Sequence, residues 1–357
     1  MVSRGPHSML DNIRTFSAIL DDLHFAVDWL RNRNCQINPN SRAEQYLRDV
    51  GELEKTWQRD GGNSVVAEKG HARLLNSLME ADAISGVTRL IAGMASPDPS
   101  TERKLCESLA GPMLPEGESA ASGSNHPRNL FFELRLMAWI LKAGLAAISG
   151  EEPDIRTELD GVAILIECKR LFSKASVEQR ILKARRQLRN ARTGDDRAIS
   201  IIALDLTRVA RSDGAYVRYA NRDEFNRWVA AKRIIVTHEV EDEIRKAYKR
   251  AIDDRAEGII EYFDAPTFNV TTDRWGTGFS LDCIPLRPGD HSIFRKIEGC
   301  PGASCRTPSI IATCSRRVAV QRLAAGKRWE SNLVALPWRS RRLPDWDIPA
   351  GPYPTGP

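Results

Sequence analysis

The chain is predicted to be an α/β protein preceded by an α-helical region. Three observations carry that expectation. Residues 9 to about 95 repeat apolar side chains three and four apart, and from residue 128 helix-type and strand-type patterns alternate. Asp160-Gly161 then separates two strand-like runs, a turn signal at the centre of the second region.

The elements follow in order. In "LDNIRTFSAILDDLHFAVDWLRNR", Ile13, Phe16, Leu20, Leu23, Val27 and Leu30 form one amphipathic stripe. Ser41 is placed to cap the next helix, "SRAEQYLRDVGELEKTWQR", because its hydroxyl can accept from an open first-turn amide. "HARLLNSLMEADAISGVTRLIAGM" continues the style, and residues 1–110 are assigned to an α-helical N-terminal domain. Residues 111–127, "GPMLPEGESAASGSNHP", are rich in Gly, Pro and Ser and read as a linker. The second domain is assigned to 128–290. It opens with the helix "RNLFFELRLMAWILKAG", which Gly144 is suited to end. "LAAIS" is a short strand, "SKASVEQRILKARRQLRNAR" a basic helix from near Ser173, and "AISIIALDL" a buried strand. Residues 222–256 read as helical, with "RIIVTH" left open as a strand; "GIIEYFD" and "FSLDCIPL" are two more strands. No period persists beyond about residue 288, so 291–357 are expected to be an Arg/Pro-rich, poorly ordered tail.

The stretch "EEPDIRTELDGVAILIECKRL" carries the chemistry. A two-residue type I′ turn needs positive φ at both central positions, which Asp160-Gly161 tolerates. With that turn, Leu159 faces Val162, Thr157 faces Ile164, Ile155 faces Ile166 and Asp154 faces Glu167. One face then holds Ile155, Thr157, Leu159, Val162, Ile164, Ile166 and Cys168. The other holds Asp154, Arg156, Glu158, Ala163, Leu165, Glu167 and Lys169. Directly opposed Cβ atoms lie about 4.5–5.5 Å apart, so the two acids repel unless a cation stands between them. A divalent ion taking oxygen ligands, Mg²⁺ or Mn²⁺, is the cation that fits, and Lys169 is placed to steady a phosphate or an attacking water. The alternative is that Asp154 and Glu167 are strand-end charges with Lys169 as their salt-bridge partner.

Pro153-Asp154 followed by Glu167-x-Lys169 resembles the signature of the PD-(D/E)xK nuclease superfamily. The resemblance spans roughly residues 129–206 and leaves the N-terminal helices and the tail outside it. It implies a restriction-endonuclease-like core: helix, mixed sheet containing a β-hairpin, helix, strand. It also implies a metal-dependent nuclease acting in DNA restriction, defence or repair, with Asp154, Glu167 and Lys169 catalytic. Members often carry an acid on the preceding helix and a glutamine on the following one; Glu133 and Gln187 sit at those places. Asp154, Glu167 and Glu133 are then the implied metal ligands. Glu133 shares a helical stripe with Leu136, Met137 and Ile140, an inward position where a carboxylate needs a partner, and a buried Arg is the alternative to a metal.

Between Lys169 and Arg192 stand nine Lys/Arg and one acid, Glu178. Lys174, Arg180, Lys183, Arg185, Arg186, Arg189 and Arg192 are therefore read as a nucleic-acid-binding face, with DNA preferred over RNA as partner. The overall charge of +5 says less, because nine Lys/Arg against three acids lie beyond Cys300. No stretch approaches the roughly 18 apolar residues of a membrane span. Seven cysteines without regular spacing predict reduced thiols and a cytoplasmic location. The spacing of Cys283, Cys300, Cys305 and Cys314 matches no zinc knuckle. No phosphate-cradling Gly-Lys-Ser/Thr loop and no dinucleotide glycine fingerprint is present. Two other functions stay open: a catalytically inactive nucleic-acid-binding protein on the same fold, and a structural or interaction protein.

Overall fold

A computed structural model describes residues 15–118, 123–192, 197–210, 217–221, 223–231, 243–244, 246–247, 256–271 and 274–285. The expected tail, the "RIIVTH" segment and most of the cysteine group above lie outside those residues.

Five helices come first: α1 (Phe16–Arg31), α2 (Arg42–Asp60), α3 (Asn63–Lys69), α4 (His71–Ala92) and α5 (Pro99–Ser108). Thr15 opens α1 by accepting from Ala18 N, and Ser41 opens α2 by accepting from Glu44 N. The stripe on α1 is buried through Leu20, Leu23, Val27 and Leu30. Helix α5 was not foreseen; it follows the Asp98-Pro99 step, where a first-turn proline gives up no hydrogen bond. Helix α6 (His126–Lys142) leads into strands β1 (Ala147–Ser149), β2 (Ile155–Leu159) and β3 (Val162–Arg170). Helix α7 (Val177–Ala191), β4 (Ile199–Asp205), a short α8 (Thr207–Ala210), β5 (Val217–Tyr219), β6 (Ala256–Asn269) and β7 (Arg274–Pro285) complete the described elements. Residues 223–231 are also helical. Among the described residues no helix is long and apolar enough to cross a membrane.

The strands form one mixed sheet in the order β1-β2-β3-β4-β6-β5, with β7 paired to β6. Strands β3, β4 and β6 run parallel; β1, β2 and β7 pair antiparallel. The fold is therefore α/β with a mixed sheet. Ile164, Ile166, Ile201, Ile260 and Tyr262 share one apolar cluster with α6 and the N-terminal helices. The alternate residues Leu165, Ile202, Leu204, Ile259 and Phe263 cluster with Val177, Ile181, Ala184 and Leu188 of α7. Both faces of the sheet's centre are thus covered, as parallel strands require. Burying each of the three larger α7 side chains is worth about 1.5–3 kcal/mol.

The hairpin register is the expected one: Ile155↔Ile166, Thr157↔Ile164 and Leu159↔Val162. Asp160 and Gly161 both adopt positive φ, 53° and 75°. No atom would crowd a Cβ at Gly161, so Gly161→Ala tests backbone conformation alone. We predict a loss of about 1–2 kcal/mol in urea unfolding.

A buried charge network joins the helices to the sheet. Glu80 on α4 accepts from Arg42 Nη1 at 2.9 Å and Arg128 Nε at 2.7 Å. Arg128 Nη1 reaches Glu118 Oε1 at 2.7 Å, Arg170 reaches Glu118 Oε2 at 3.1 Å, and Arg170 Nε reaches Asp205 at 3.0 Å. Burial alone would raise the Glu80 carboxyl, but Arg128 and Arg42 outweigh it and hold it at about 2, below its ordinary 4.5. As pH falls below about 4.5 the unfolded chain takes up this proton first. Stability of about 3 kcal/mol, fully present above 4.5, is thus expected to disappear as pH approaches 2. Urea titrations from pH 6 to 2.5 should show a shallower acid slope in Glu80→Gln than in wild type.

Cys35 and Cys106 form a disulfide between the end of α1 and α5, whereas free thiols were expected. Cysteine spacing does not reveal this pair, which lies 71 residues apart in sequence. Cys168 is free and buried.

Candidate active site

The site forms where β2 begins and β3 approaches its end. Upstream, Gly150 N donates to Asp154 O at 3.0 Å, folding the loop tightly before the strand. A Cβ on Gly150 would lie 2.6 Å from the Pro153 carbonyl oxygen, so the loop can close this far only around glycine. Asp154 lies one residue beyond the last paired position of β2. Its carboxylate turns inward and accepts from Cys168 N at 2.7 Å.

Glu167 and Lys169 project from the same side of β3. Glu167 is fully buried, and Lys169 Nζ ion-pairs with its Oε1 while standing 3.8 Å from Asp154 Oδ2. The ammonium group thus contacts both acids, and the two carboxyls also interact with each other directly. Among the described residues Glu167 Oε2 has no hydrogen-bond partner. Burial, then the charge of Asp154, pushes the Glu167 carboxyl up to about 8, against the pull of Lys169.

Glu133 extends from α6 into the same neighbourhood. It is buried, and its partner is Lys104 of α5, with Nζ 2.7 Å from Glu133 Oε2 and 2.5 Å from the Gly150 carbonyl oxygen. Burial and the charge of Asp154 push the Glu133 carboxyl up to about 7. Lys104 was missed in the sequence, although its α5 stripe of Thr101, Lys104, Leu105 and Ser108 has inward spacing. The alternative to a metal at Glu133 was a buried arginine; a lysine from the helical region stands in that place.

Gln187 lies beside the entrance loop, not on the carboxylates. Its Nε2 is 3.3 Å from Glu152 Oε1, two residues before Asp154, and its Oε1 is buried without a partner among the described residues. On α7, Lys183, Arg186 and Arg189 are exposed and Arg180 is half-buried, as is Arg192 just past its end. Arg185 departs from expectation. It points into the core and donates to Ala247 O at 3.0 Å, because position 185 falls beside Ile181, Ala184 and Leu188 on the buried stripe. The side chain of Lys174 lies outside the described residues.

Among the described residues no three His, Cys, Asp or Glu side chains converge on one metal position. The donor set does suit a hard cation: carboxylate oxygens, one orphaned, and two acids that burial and the charge of Asp154 drive toward protonation. Comparison with known protein families, curated proteins and solved structures finds no match.

Proposed function

We propose that this protein is a metal-dependent nuclease with a restriction-endonuclease-like PD-(D/E)xK core, hydrolysing phosphodiester bonds in nucleic acid, DNA in preference to RNA. One observation carries the reading: Asp154, Glu167 and Lys169 meet in a buried cluster at one end of the hairpin. The exposed Lys183, Arg186 and Arg189 on the adjoining α7 add a surface suited to a phosphate backbone.

In this reading Asp154, Glu167 and Glu133, which do not yet converge on one metal position, would have to close together to hold Mg²⁺ or Mn²⁺. When bound, the ion would polarise the phosphate and acidify a water. Lys169 supplies a second positive charge for the phosphate or its attacking oxygen. Lys104 fixes Glu133 against the Gly150 carbonyl, and Gln187 steadies Glu152 in the loop that delivers Asp154. Buried surroundings strengthen the Lys169 and Lys104 interactions, whereas the Gln187–Glu152 contact lies at the surface.

The ammonium group of Lys169, already closed onto Glu167, supports a second reading: a nucleic-acid-binding protein on the same fold that cleaves nothing. A cleavage assay on DNA and RNA with Mg²⁺ or Mn²⁺, comparing wild type with Lys169→Ala, separates the two. Metal-dependent cleavage lost in the variant supports the nuclease. Salt-sensitive binding that survives the substitution, with no cleavage by either protein, supports the binding protein. Neither activity would point to a structural or interaction role.

A further inference from the structure

A second polar centre lies on the opposite face of β3. Arg170, Asp205 and Tyr262 are register partners across β3, β4 and β6, the parallel part of the sheet. They line a cavity of about 70 Å³ together with Arg128, Arg135, Arg208 and Asp264. None of Glu133, Asp154, Glu167 or Lys169 lines it. In open α/β sheets, space beyond the carboxyl ends of parallel strands is where ligands bind, and Arg170 and Asp205 are the last residues of β3 and β4.

Charge and hydrogen bonding both leave a remainder there. Five guanidinium groups, Arg42, Arg128, Arg135, Arg170 and Arg208, face four carboxylates, Glu80, Glu118, Asp205 and Asp264. Asp264 is 2% exposed, and its Oδ2 accepts from Arg135 Nη1 and from the Tyr262 hydroxyl, both at 2.6 Å. Its Oδ1 has no partner among the described residues. The same holds for Arg208 Nη1, shielded from solvent where the guanidinium lies over Phe172. Buried polar atoms are almost always paired. A fitting ligand offers an acceptor to Arg208 and a donor to Asp264, and carries negative charge.

We propose that this cavity binds a phosphate group that retains a proton. Its P–O⁻ oxygens suit the guanidinium fork, and its P–OH donates to Asp264. The volume, on the order of two waters, suits one tetrahedral oxyanion. Sulfate has the shape and charge but no proton to give at neutral pH, so Asp264 discriminates against it. This proposal stands independently of the nuclease reading.

The test is a thermal-shift and calorimetric titration of the full chain at about pH 5, where inorganic phosphate and most of a phosphomonoester carry an O–H. Inorganic phosphate is expected to raise the melting temperature saturably, and sulfate at equal ionic strength is not. Arg208→Gln, at a half-buried position with no ion pair among the described residues, should bind phosphate at least tenfold more weakly while melting like wild type without phosphate. Asp264→Asn should admit sulfate, because the amide donates where the carboxylate accepts; should that variant fail to fold, Arg208→Gln decides. A 5′-mononucleotide binding more tightly than phosphate assigns the site to a phosphomonoester, and equal or weaker binding assigns it to free phosphate. Equal response to phosphate and sulfate, no response to phosphate, or undiminished binding by Arg208→Gln overturns the proposal.

Discussion

On the proposed nuclease reading, Glu167→Gln is expected to lower metal-dependent cleavage by about 10²–10³-fold, the effect of removing one group that stabilises developing charge, while the melting temperature stays level or rises. The two halves of that result have different causes. Glu167 is fully buried, one of its oxygens has no partner among the described residues, Asp154 repels its charge, and Lys169, its ion-pair partner, keeps Asp154 as a counter-ion 3.8 Å away in the variant. Such a carboxylate costs stability, and a glutamine of the same shape carries no charge to bury. Metal binding and phosphate chemistry, by contrast, need the negative oxygen. Single-turnover cleavage and calorimetry on the same preparations read both halves. A variant that cleaves like wild type removes Glu167 from the reaction. One that loses activity only because it unfolds removes the argument that this acid serves chemistry at the expense of the fold.

Arg128→Met should be the most damaging single substitution among the buried charges, costing about 3–5 kcal/mol. The guanidinium contacts Glu80 and Glu118, each at 2.7 Å, and donates to the carbonyl oxygens of Pro112 and Met113 at 3.0 and 2.8 Å. Methionine fills part of the volume but leaves two carboxylates short of positive charge in dry surroundings. At roughly 2–4 °C per kcal/mol for a chain of this size, the melting temperature should fall by about 10 °C. Arg103→Met is the control. Its pairs with Glu107 and Glu151 lie at the surface, and a change within about 0.5 kcal/mol is expected. Equal effects at the two positions would show that the network contributes no more than an ordinary surface pair.

What could be read from the sequence was local. Asp160-Gly161 and the alternation on either side specify the hairpin register, because a one-residue slip would expose Ile155, Ile164 and Ile166. Helix α6 and the inward position of Glu133 follow from three-and-four spacing in the same way. Partners distant in sequence were not legible. Glu118 sits in a Gly, Pro and Ser stretch that reads as linker, yet it is buried against Arg128 and Arg170. Lys104 arrives from a helix outside the signature, and Cys106 finds Cys35 across 71 residues. Arg185 was misplaced because a run of basic residues conceals which of them lies on the packed stripe, and Ala184 and Leu188 mark that stripe only once the helix phase is fixed. In each case the deciding fact is a contact made by tertiary packing, which carries no periodicity.

The Lys104–Glu133 contact and the Glu118 bridge bear on how the molecule can be divided. A fragment beginning at His126 would keep Glu133, Asp154, Glu167, Lys169 and Gln187 and still lack Lys104, Glu80 and Glu118. Glu133, Arg128 and Arg170 would then each lose a neutralising neighbour. The helical half is a counter-charge reservoir for the other half, so the shortest autonomous unit is longer than the stretch its signature marks out.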